Sequence, residues 1–257
     1  MNWHLKAVLF DLDDTLIEND MSVFGPAYLE SFGEQLAVFG SRQAMIAALR
    51  RTIDAVVQHD DPAETNEQRF WRELPAQTGV EEARLRPVVD RFYAEDFPKL
   101  RGMTRRRAEA GRVVMRARAR GLRIALATNP MFPAAAIVQR IEWAGLRASD
   151  FDHITTPDNS HACKPKPDYY LETLRALAAR AEDTLMVGDD WRLDIAPAMA
   201  MGINTFWVKD KAEAPPDSGG PAASGTWPEF VAWWTNKTTD GTDDTDRSVS
   251  PVANQRL

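Results

Sequence analysis

The sequence of 257 residues predicts an α/β protein with a parallel sheet and a separate helical segment. The first indication is Ala7–Phe10, an apolar run that stops abruptly at Asp11, as a central parallel strand buried on both faces does. The second is a series of similar short runs after residue 122, which alternate with helical patterns. The third is residues 17–100, which lack strand patterning and are too long for an ordinary connection between a strand and a helix.

The composition excludes several classes of protein. Hydrophobic residues make up 44% of the chain and charged residues 27%, which is ordinary for a globular protein. The net charge of −7 argues against general nucleic-acid binding, which needs a basic surface. No apolar run approaches the ~18 residues needed to cross a bilayer, and the N-terminus does not resemble a signal peptide. We therefore expect a cytoplasmic protein that has neither nucleic-acid nor membrane partners.

Cys163 is the one cysteine of the chain, so neither an intrachain disulfide nor a cysteine-based metal site can form. We interpret Cys163 as a small space-filling residue rather than a nucleophile, because no histidine is obviously placed to activate it.

The residues after the first strand carry two close carboxylates. Asp13 lies two residues beyond Asp11, so an extended chain would place both side chains on one side. In open α/β sheets, ligands bind just beyond the carboxyl ends of the strands. Two close carboxylates repel each other unless a cation or a shared proton relieves them. We therefore expect Mg²⁺, which prefers oxygen ligands, near Asp11 and Asp13.

A second strand is predicted at residues 123–127 and ends at Thr128 and Asn129. A hydroxyl group at a strand end can hydrogen-bond a phosphoryl oxygen, which makes Thr128 a candidate for substrate binding. The alternative is a strand-terminal turn that the threonine side chain stabilises.

A lysine-proline segment opens a later helix. Lys164 and Lys166 each precede a proline, and prolines suit the first turn of the helix predicted at residues 168–181. Both lysines are candidates for a site residue at this stage.

Three aspartates follow the strand predicted at residues 184–187. Gly188 permits a tight turn at the strand end, and Asp189 and Asp190 come directly after it. These two carboxylates would lie beside Asp11 if the two strands are close in the sheet. Asp190 has an alternative role as the N-cap of the next helix, in which Asp194 lies one turn further along.

Taken in order, these four stretches resemble the four motifs of the haloacid dehalogenase superfamily of phosphohydrolases. Residues 11–15 have the form D-x-D-x-T of the first motif, and residues 188–194 have the form G-D-x(4)-D of the fourth. Thr128 matches the strand-ending Thr or Ser of the second motif. Lys164 and the proline after it match the Lys-Pro pair of the third.

The resemblance implies a role for each matching residue. Asp11 would be the nucleophile, Asp13 the general acid and base, and Lys164, rather than Lys166, the partner of the nucleophile and the phosphoryl group. The phosphoryl group would be bound by Thr128, Asn129 and Lys164. Mg²⁺ would be bound by Asp11, the carbonyl group of Asp13, and Asp189. Supporting roles are implied for Thr15, Asp190 and Asp194, of which Asp194 would hold Lys164 or a metal-bound water.

The resemblance also implies a fold and an activity. The fold would be a Rossmann-like three-layer α/β/α core with the five predicted strands in the order 5-4-1-2-3. The activity would be Mg²⁺-dependent hydrolysis of a small phosphorylated metabolite through an aspartyl-phosphate, by a monomer or homodimer. A phosphomutase uses the same residues and stays open. Asp13 argues against a haloacid dehalogenase, because that reaction needs no second acid. A non-catalytic relative would be expected to lose one of the four motifs, and this sequence has all four.

The predicted domains are a catalytic core at residues 1–16 and 101–235, a helical cap at 17–100 and a disordered tail at 236–257. Within the cap, we expect one helix from the N-cap Ser41 to about His59 and another at residues 83–97. Four aromatic residues could face the substrate or form the core of the cap, and we favour the core: Phe70, Trp71, Phe92 and Tyr93.

The rest of the chain is expected to complete the core. Residues 101–123 contain nine arginines, which could bind a polyanion but are better explained as a solvated helix face. Residues 209–225 are predicted to be a loop, since they are rich in Pro, Gly, Ala and Ser. The remaining predicted elements are helices at 132–144 and 227–234 and strands at 151–155 and 203–208.

Overall fold

The computed structural model describes residues 4–59, 61–209, 220 and 223–236. Its main sheet contains six parallel strands in the order β5-β4-β1-β6-β7-β8, and two short strands form a separate antiparallel pair. In chain order the strands are β1 (Ala7–Phe10), β2 (Ile17–Glu18), β3 (Arg105–Arg106), β4 (Arg123–Leu126), β5 (His153–Ile154), β6 (Thr184–Gly188), β7 (Asn204–Val208) and β8 (Ala223–Gly225).

The helices of the described residues occupy the predicted regions. In chain order they are α1 (Met21–Leu36), α2 (Arg42–Gln58), α3 (Asn66–Thr78), α4 (Glu82–Arg91), α5 (Ala110–Ala119), α6 (Ala134–Trp143), α7 (Pro167–Ala176), α8 (Ala196–Ala200) and α9 (Trp227–Asn236). Ser41 is the N-cap of α2 and accepts a hydrogen bond from the backbone N–H of Ala44, as predicted. None of the helices described is long and apolar enough to cross a membrane.

The predicted α/β class is confirmed, and the five predicted strands lie in the predicted order. A sixth strand, β8, pairs with β7 at the edge of the sheet, so the expectation of a loop throughout residues 209–225 is wrong at its C-terminal end. Ala, Ser and Gly have little intrinsic preference for strands, and β8 forms because the edge of β7 offers unpaired backbone groups. Local sequence therefore could not reveal it.

The sheet separates two layers of helices because successive residues of β1 point to opposite faces. Val8 and Phe10 pack with apolar residues of α5, α6 and α9, and Ala7 and Leu9 pack with those of α7 and α8. All four side chains are fully buried, which explains why this strand is a continuous apolar run. The parallel pairing of β1 with β4 and β6 places the carboxyl ends of these three strands side by side.

The helical insertion begins and ends at the antiparallel pair of β2 and β3, where Ile17 lies opposite Arg106. The expectation that residues 17–100 contain only helices is therefore wrong at residues 17–18, which form β2. A strand of two residues is too short to show the alternation of apolar and polar side chains that identifies strands in a sequence. Pro26 lies inside α1 and does not end it. The assignment of residues 17–100 to a cap stays a prediction. Asn236, which was predicted to begin the tail, is the last residue of α9, and the rest of the predicted tail, 237–257, lies outside the described residues.

The predicted helix at residues 83–97 and the arginine-rich stretch show two further differences. α4 ends at Arg91, and the chain continues as a π-helical turn (Phe92–Asp96) and a 3₁₀ segment (Phe97–Met103). Most arginines of residues 101–123 are exposed, in agreement with a solvated face. Arg116 is half-buried, and Arg107 is buried and donates to the backbone carbonyl of Asp14, 2.7 Å away.

Candidate active site

The site lies where three neighbouring strands end. Phe10, the last residue of β1, pairs with Leu126 of β4 and Val187 of β6. Parallel strands end on the same side of a sheet, so the residues that follow these three strands must converge. The structure thus brings together predicted site residues from three stretches of the chain that begin at Asp11, Thr128 and Asp189.

Lys164 occupies the centre of this convergence. Its Nζ atom lies 2.7 Å from Oδ1 of Asp11 and 2.5 Å from Oδ1 of Asp194, and its side chain is 2% exposed. Burial alone would lower the pKa of Lys164, but Asp11 and Asp194 raise it well above its ordinary value, so the side chain is an ammonium group. Lys166 instead donates to the backbone carbonyl of His59, so its Nζ points elsewhere.

Three carboxylates surround a space suited to a metal ion. One oxygen from each of Asp11, Asp189 and Asp194 lies within 4.8 Å of the others. Burial, opposed by Lys164 and reinforced by Asp194 and Asp13, raises the pKa of Asp11 to about 8. Burial and the charges of Asp11 and Asp194 raise the pKa of Asp189 to about 9. When all three carboxylates are ionised, one lysine leaves two of their charges uncompensated, and these charges and oxygen donors fit a hard divalent cation.

Thr15 and Asp190, which both lie near Asp189, have different structural roles. Thr15 is fully buried, and its hydroxyl donates to Oδ1 of Asp189 at 3.3 Å, which links the first motif to the fourth. Asp190 is exposed, and its Oδ1 accepts hydrogen bonds from the backbone N–H groups of Arg192 (2.7 Å) and Leu193 (2.9 Å). Asp190 is therefore the N-cap of the π-helical turn Trp191–Ile195, the alternative that the sequence left open, and does not join the carboxylate cluster.

Gly188 allows a close approach rather than a tight turn. Its backbone does not have a positive φ angle, unlike the glycines that end helices at Gly121 and Gly202. A Cβ atom built on Gly188 would overlap the carboxylate and the Cβ of Asp194. The absence of a side chain therefore lets Asp194 lie against the end of β6 and reach Lys164.

Thr128 and Asn129 follow β4 and lie beside the lysine segment. Oδ1 of Asn129 accepts a hydrogen bond from the backbone N–H of Lys164 at 3.2 Å. The carbonyl of Thr128 accepts from the hydroxyls of Thr155 (2.6 Å) and Tyr169 (2.9 Å). These contacts fix both residues next to Lys164, where the donor groups of their side chains are the Asn129 amide NH₂ and the Thr128 hydroxyl.

Asp13 has two partners that the sequence analysis missed. Its Oδ1 accepts a hydrogen bond from Nδ2 of Asn19 at 2.7 Å, and its Oδ2 forms an ion pair with Nη2 of Arg140. One signal for Arg140 was present in the sequence. It falls on the apolar stripe of α6 with Ile137 and Ile141, and a charge at a core-facing position needs a buried partner.

Cys163 is a packing residue. Its side chain is fully buried, and its sulfur accepts a hydrogen bond from Nδ2 of Asn66 at 3.5 Å. Burial raises the pKa of the Cys163 thiol to about 11, which suppresses the thiolate that a nucleophile needs.

Two cavities border these residues. One of about 560 Å³ reaches Asp14 and Asp189, and its lining includes the basic side chains of Arg105, Arg107 and Lys209. Four carboxylates line the same cavity, those of Asp14, Glu18, Asp20 and Asp189, so its walls carry charges of both signs.

The other cavity, of about 520 Å³, lies between the helical insertion and the loop that follows Asn129. Phe70, Trp71 and Tyr93 line it from the helical side, so these three aromatic residues are available to a ligand. Phe92 is fully buried and stacks on Phe32, with a ring centroid distance of 4.3 Å, so it belongs to the core of the helices.

The parallel α/β sheet, with a buried lysine between the strand-end Asp11 and the helical Asp194, defines a class of hydrolases, and sequence comparison finds the same class. The model of the haloacid dehalogenase-like hydrolase family matches residues 5–202. This match covers most of the chain, and the chain belongs to this family.

Curated relatives of the chain are phosphatases. A phosphoserine phosphatase of Thermus thermophilus is 28% identical over 234 residues, which cover 83% of this chain and 92% of the relative. A glyceraldehyde 3-phosphate phosphatase of Pyrococcus furiosus is 23% identical over 208 residues, which cover 80% and 81%.

Solved structures share the fold. A HAD phosphatase from Thermococcus onnurineus has 18% identity and a TM-score of 0.58, and covers 89% of this chain and 97% of its own. A 2-haloacid dehalogenase from Pseudomonas syringae has 22% identity and a TM-score of 0.63, with 90% and 99% covered. Because these two proteins carry different names on one fold, the likeness does not choose between the two chemistries.

Proposed function

We propose that this hydrolase is a phosphomonoesterase that acts on a small phosphorylated metabolite through a phosphorylated Asp11. The observation that carries the proposal is the buried arrangement of Asp11, Lys164 and Asp194, with Asp189 beside it. A carboxylate next to a fixed ammonium group is suited to a substrate whose charge must be offset while a nucleophile attacks it.

The reaction would occur in two steps that share one acid and base. An Asp11 carboxylate oxygen attacks phosphorus, the bond from phosphorus to the ester oxygen breaks, and Asp13 gives that oxygen a proton. Asp13 then takes a proton from water, the water oxygen attacks phosphorus, and the bond to Asp11 breaks to release phosphate. Lys164 and the Asn129 amide would hold phosphoryl oxygens in both steps, together with the hydroxyl of Thr128.

Mg²⁺ fits the carboxylate cluster described above, and Asp11, Asp189 and the carbonyl group of Asp13 would hold it. When bound, it would supply positive charge that offsets repulsion between the carboxylates and a phosphate dianion. Lys164 makes the same contribution from the protein side and keeps Asp11 in place.

The phosphatase names of the curated relatives support phosphate esters of three-carbon compounds as first candidates. The cavity lined by Phe70, Trp71 and Tyr93 would accommodate the part of the substrate that leaves, in a cap formed by residues 17–100. A small phosphorylated substrate, a monomeric or homodimeric enzyme and a cytoplasmic location stay predictions.

The test is a screen of phosphorylated metabolites, including phosphoserine and glyceraldehyde 3-phosphate, with Mg²⁺ and with EDTA. We expect phosphate release that requires Mg²⁺. Conversion of a sugar phosphate to its isomer without phosphate release would identify a phosphomutase. Halide release from 2-haloacids, with every phosphate ester untouched, would contradict the proposal.

A further inference from the structure

Arg140 is a buried arginine that contacts a predicted catalytic residue. It lies on α6, is 1% exposed, and forms its ion pair with Asp13, which is 127 residues earlier in the chain. A buried guanidinium group without a partner is strongly destabilising, so this ion pair has to be maintained when the protein folds.

The surroundings of Arg140 direct it toward Asp13. Its guanidinium carbon lies 4.7 Å from the ring centre of Phe132 and 5.9 Å from that of Phe24. Its Nε and Nη1 atoms have no hydrogen-bond partner among the described residues. Two aromatic rings therefore hold the guanidinium group in place, and its hydrogen bond to an anion is the one with Asp13.

The Asp13 carboxylate is held from two directions. Nη2 of Arg140 reaches one oxygen, and Nδ2 of Asn19 reaches the other at 2.7 Å. Asn19 is itself fixed, since its backbone N–H donates to Oδ1 of Asp14 at 2.9 Å. Donors on both oxygens restrict rotation of the carboxylate plane, which defines where a proton on Asp13 can point.

We propose that Arg140 is a positioning residue for the reaction, acting through Asp13, whose carboxylate it holds in the orientation needed for proton transfer. The inference rests on the proposed phosphatase function, since Asp13 is the acid and base of that reaction. Loss of such orientation affects the chemical steps rather than substrate binding, and displacements of about 1 Å can cost about 10²-fold in rate.

A double-mutant cycle on an alkyl phosphate substrate tests the proposal. The variants are Arg140→Gln, Asp13→Asn and the combination of both, with kcat and KM measured for each. We expect Arg140→Gln to lower kcat by about 10- to 100-fold with KM changed little. In the Asp13→Asn background, Arg140→Gln should lower kcat less than about twofold, because the group on which it acts is already inactive.

Arg69→Gln is the matched control. Arg69 is also a fully buried arginine, on α3, and it binds Asn66 and the carboxylate of Glu64 rather than Asp13. If Arg69→Gln lowers kcat through an effect on folding, it should lower kcat by the same factor in the wild-type and the Asp13→Asn backgrounds. Near-ultraviolet circular dichroism reports whether each variant is folded, and Arg140→Lys, which keeps the charge, replaces Arg140→Gln in the cycle if the latter does not fold.

The outcomes separate the two proposals. Equal loss from the Arg140 substitution in both backgrounds, or a wild-type kcat in the single variant, would show that Arg140 is a structural residue, and the phosphatase function would stand. A wild-type protein that releases no phosphate from any ester would remove the proposed function, and the role of Arg140 with it. A loss confined to the background with an intact Asp13 supports the proposal.

Discussion

Lys164 and Asp194 form a buried ion pair, with 2.5 Å between Nζ and Oδ1, although they are 30 residues apart and Lys164 lies in the turn before α7. The second oxygen of Asp194 accepts from the backbone N–H of Asp190 at 3.2 Å. Asp194 is thus fixed at both oxygens and holds the ammonium group of Lys164 beside Asp11. The close approach of Asp194 to Gly188 makes this arrangement possible.

Gly188→Ala should disrupt the pair, because the added Cβ would overlap the carboxylate of Asp194. We expect the free energy of unfolding to fall by about 1–3 kcal/mol, as for other overpacked sites. Displacement of Lys164 should also lower kcat by about 10²-fold. Urea unfolding and steady-state kinetics measure the two effects.

Gly111→Ala is the matched control for that substitution. Gly111 lies in α5, and nothing lies within 4 Å of a Cβ built on it. Its replacement should leave kcat unchanged and stabilise the helix by about 0.5–1 kcal/mol. A Gly188→Ala protein that behaves like Gly111→Ala would show that the close approach at β6 is unimportant.

Asp11→Asn should abolish hydrolysis while the protein stays folded. The amide is a poor nucleophile, so kcat should fall below about a thousandth of wild type. Folding should persist because Lys164 keeps its ion pair with Asp194. Phosphate release and circular dichroism measure the two properties.

Asp54→Asn, on the exposed face of α2, is the control for Asp11→Asn and should retain wild-type activity. Turnover by a pure, folded Asp11→Asn protein at a rate close to wild type would be incompatible with a phosphorylated Asp11.

The stability of the protein without Mg²⁺ should depend on pH through Asp11 and Asp189. Their pKa values in the folded protein are raised to about 8 and about 9 from 3.8. Between pH 3.8 and about pH 9 the folded state binds more protons than the unfolded state. The free energy of unfolding should therefore fall as the pH rises through this range. The contribution is fully present below about pH 4 and is lost by about pH 9.

Urea unfolding at about pH 5, 7 and 9, with EDTA or with Mg²⁺, measures this dependence. Mg²⁺ should weaken it, because a bound cation offsets the charges that the protons otherwise neutralise. Asp189→Asn should weaken it in EDTA for the same reason. An identical pH dependence in wild type and Asp189→Asn would show that this cluster is not its source.

Asp13→Asn should affect substrates according to their leaving groups. An alkyl phosphate has a poor leaving group that needs a proton, and loss of a general acid typically costs ~10²–10⁴-fold. An aryl phosphate needs less help, so its first step should be slowed less and the phosphorylated enzyme should accumulate.

Single-turnover kinetics on both substrates, with quantification of the phosphorylated enzyme, give the rate of each step. If Asp13→Asn slows the first step equally for alkyl and aryl phosphates, Asp13 holds the structure or the metal and does not transfer the proton.

The sequence by itself determined the class of fold and the strand ends at which the predicted site residues lie. Ala7–Phe10 is apolar throughout because both of its faces are buried, and that run ends where Asp11 begins. Parallel strands end on one side of a sheet, so strand ends that were readable from local patterns had to bring Thr128 and Asp189 to the same edge. These inferences succeed because they depend on local hydrophobicity and on one geometric rule.

The tertiary structure alone decided which donor each carboxylate contacts. Asp190 caps a helix while Asp194 reaches Lys164, and the sequence allowed both aspartates to join the cluster. The pairing of Asp13 with Arg140 depends on how α6 packs against the loop after β1. Such contacts join residues far apart in the chain, and a buried charge is stable only where packing places its partner.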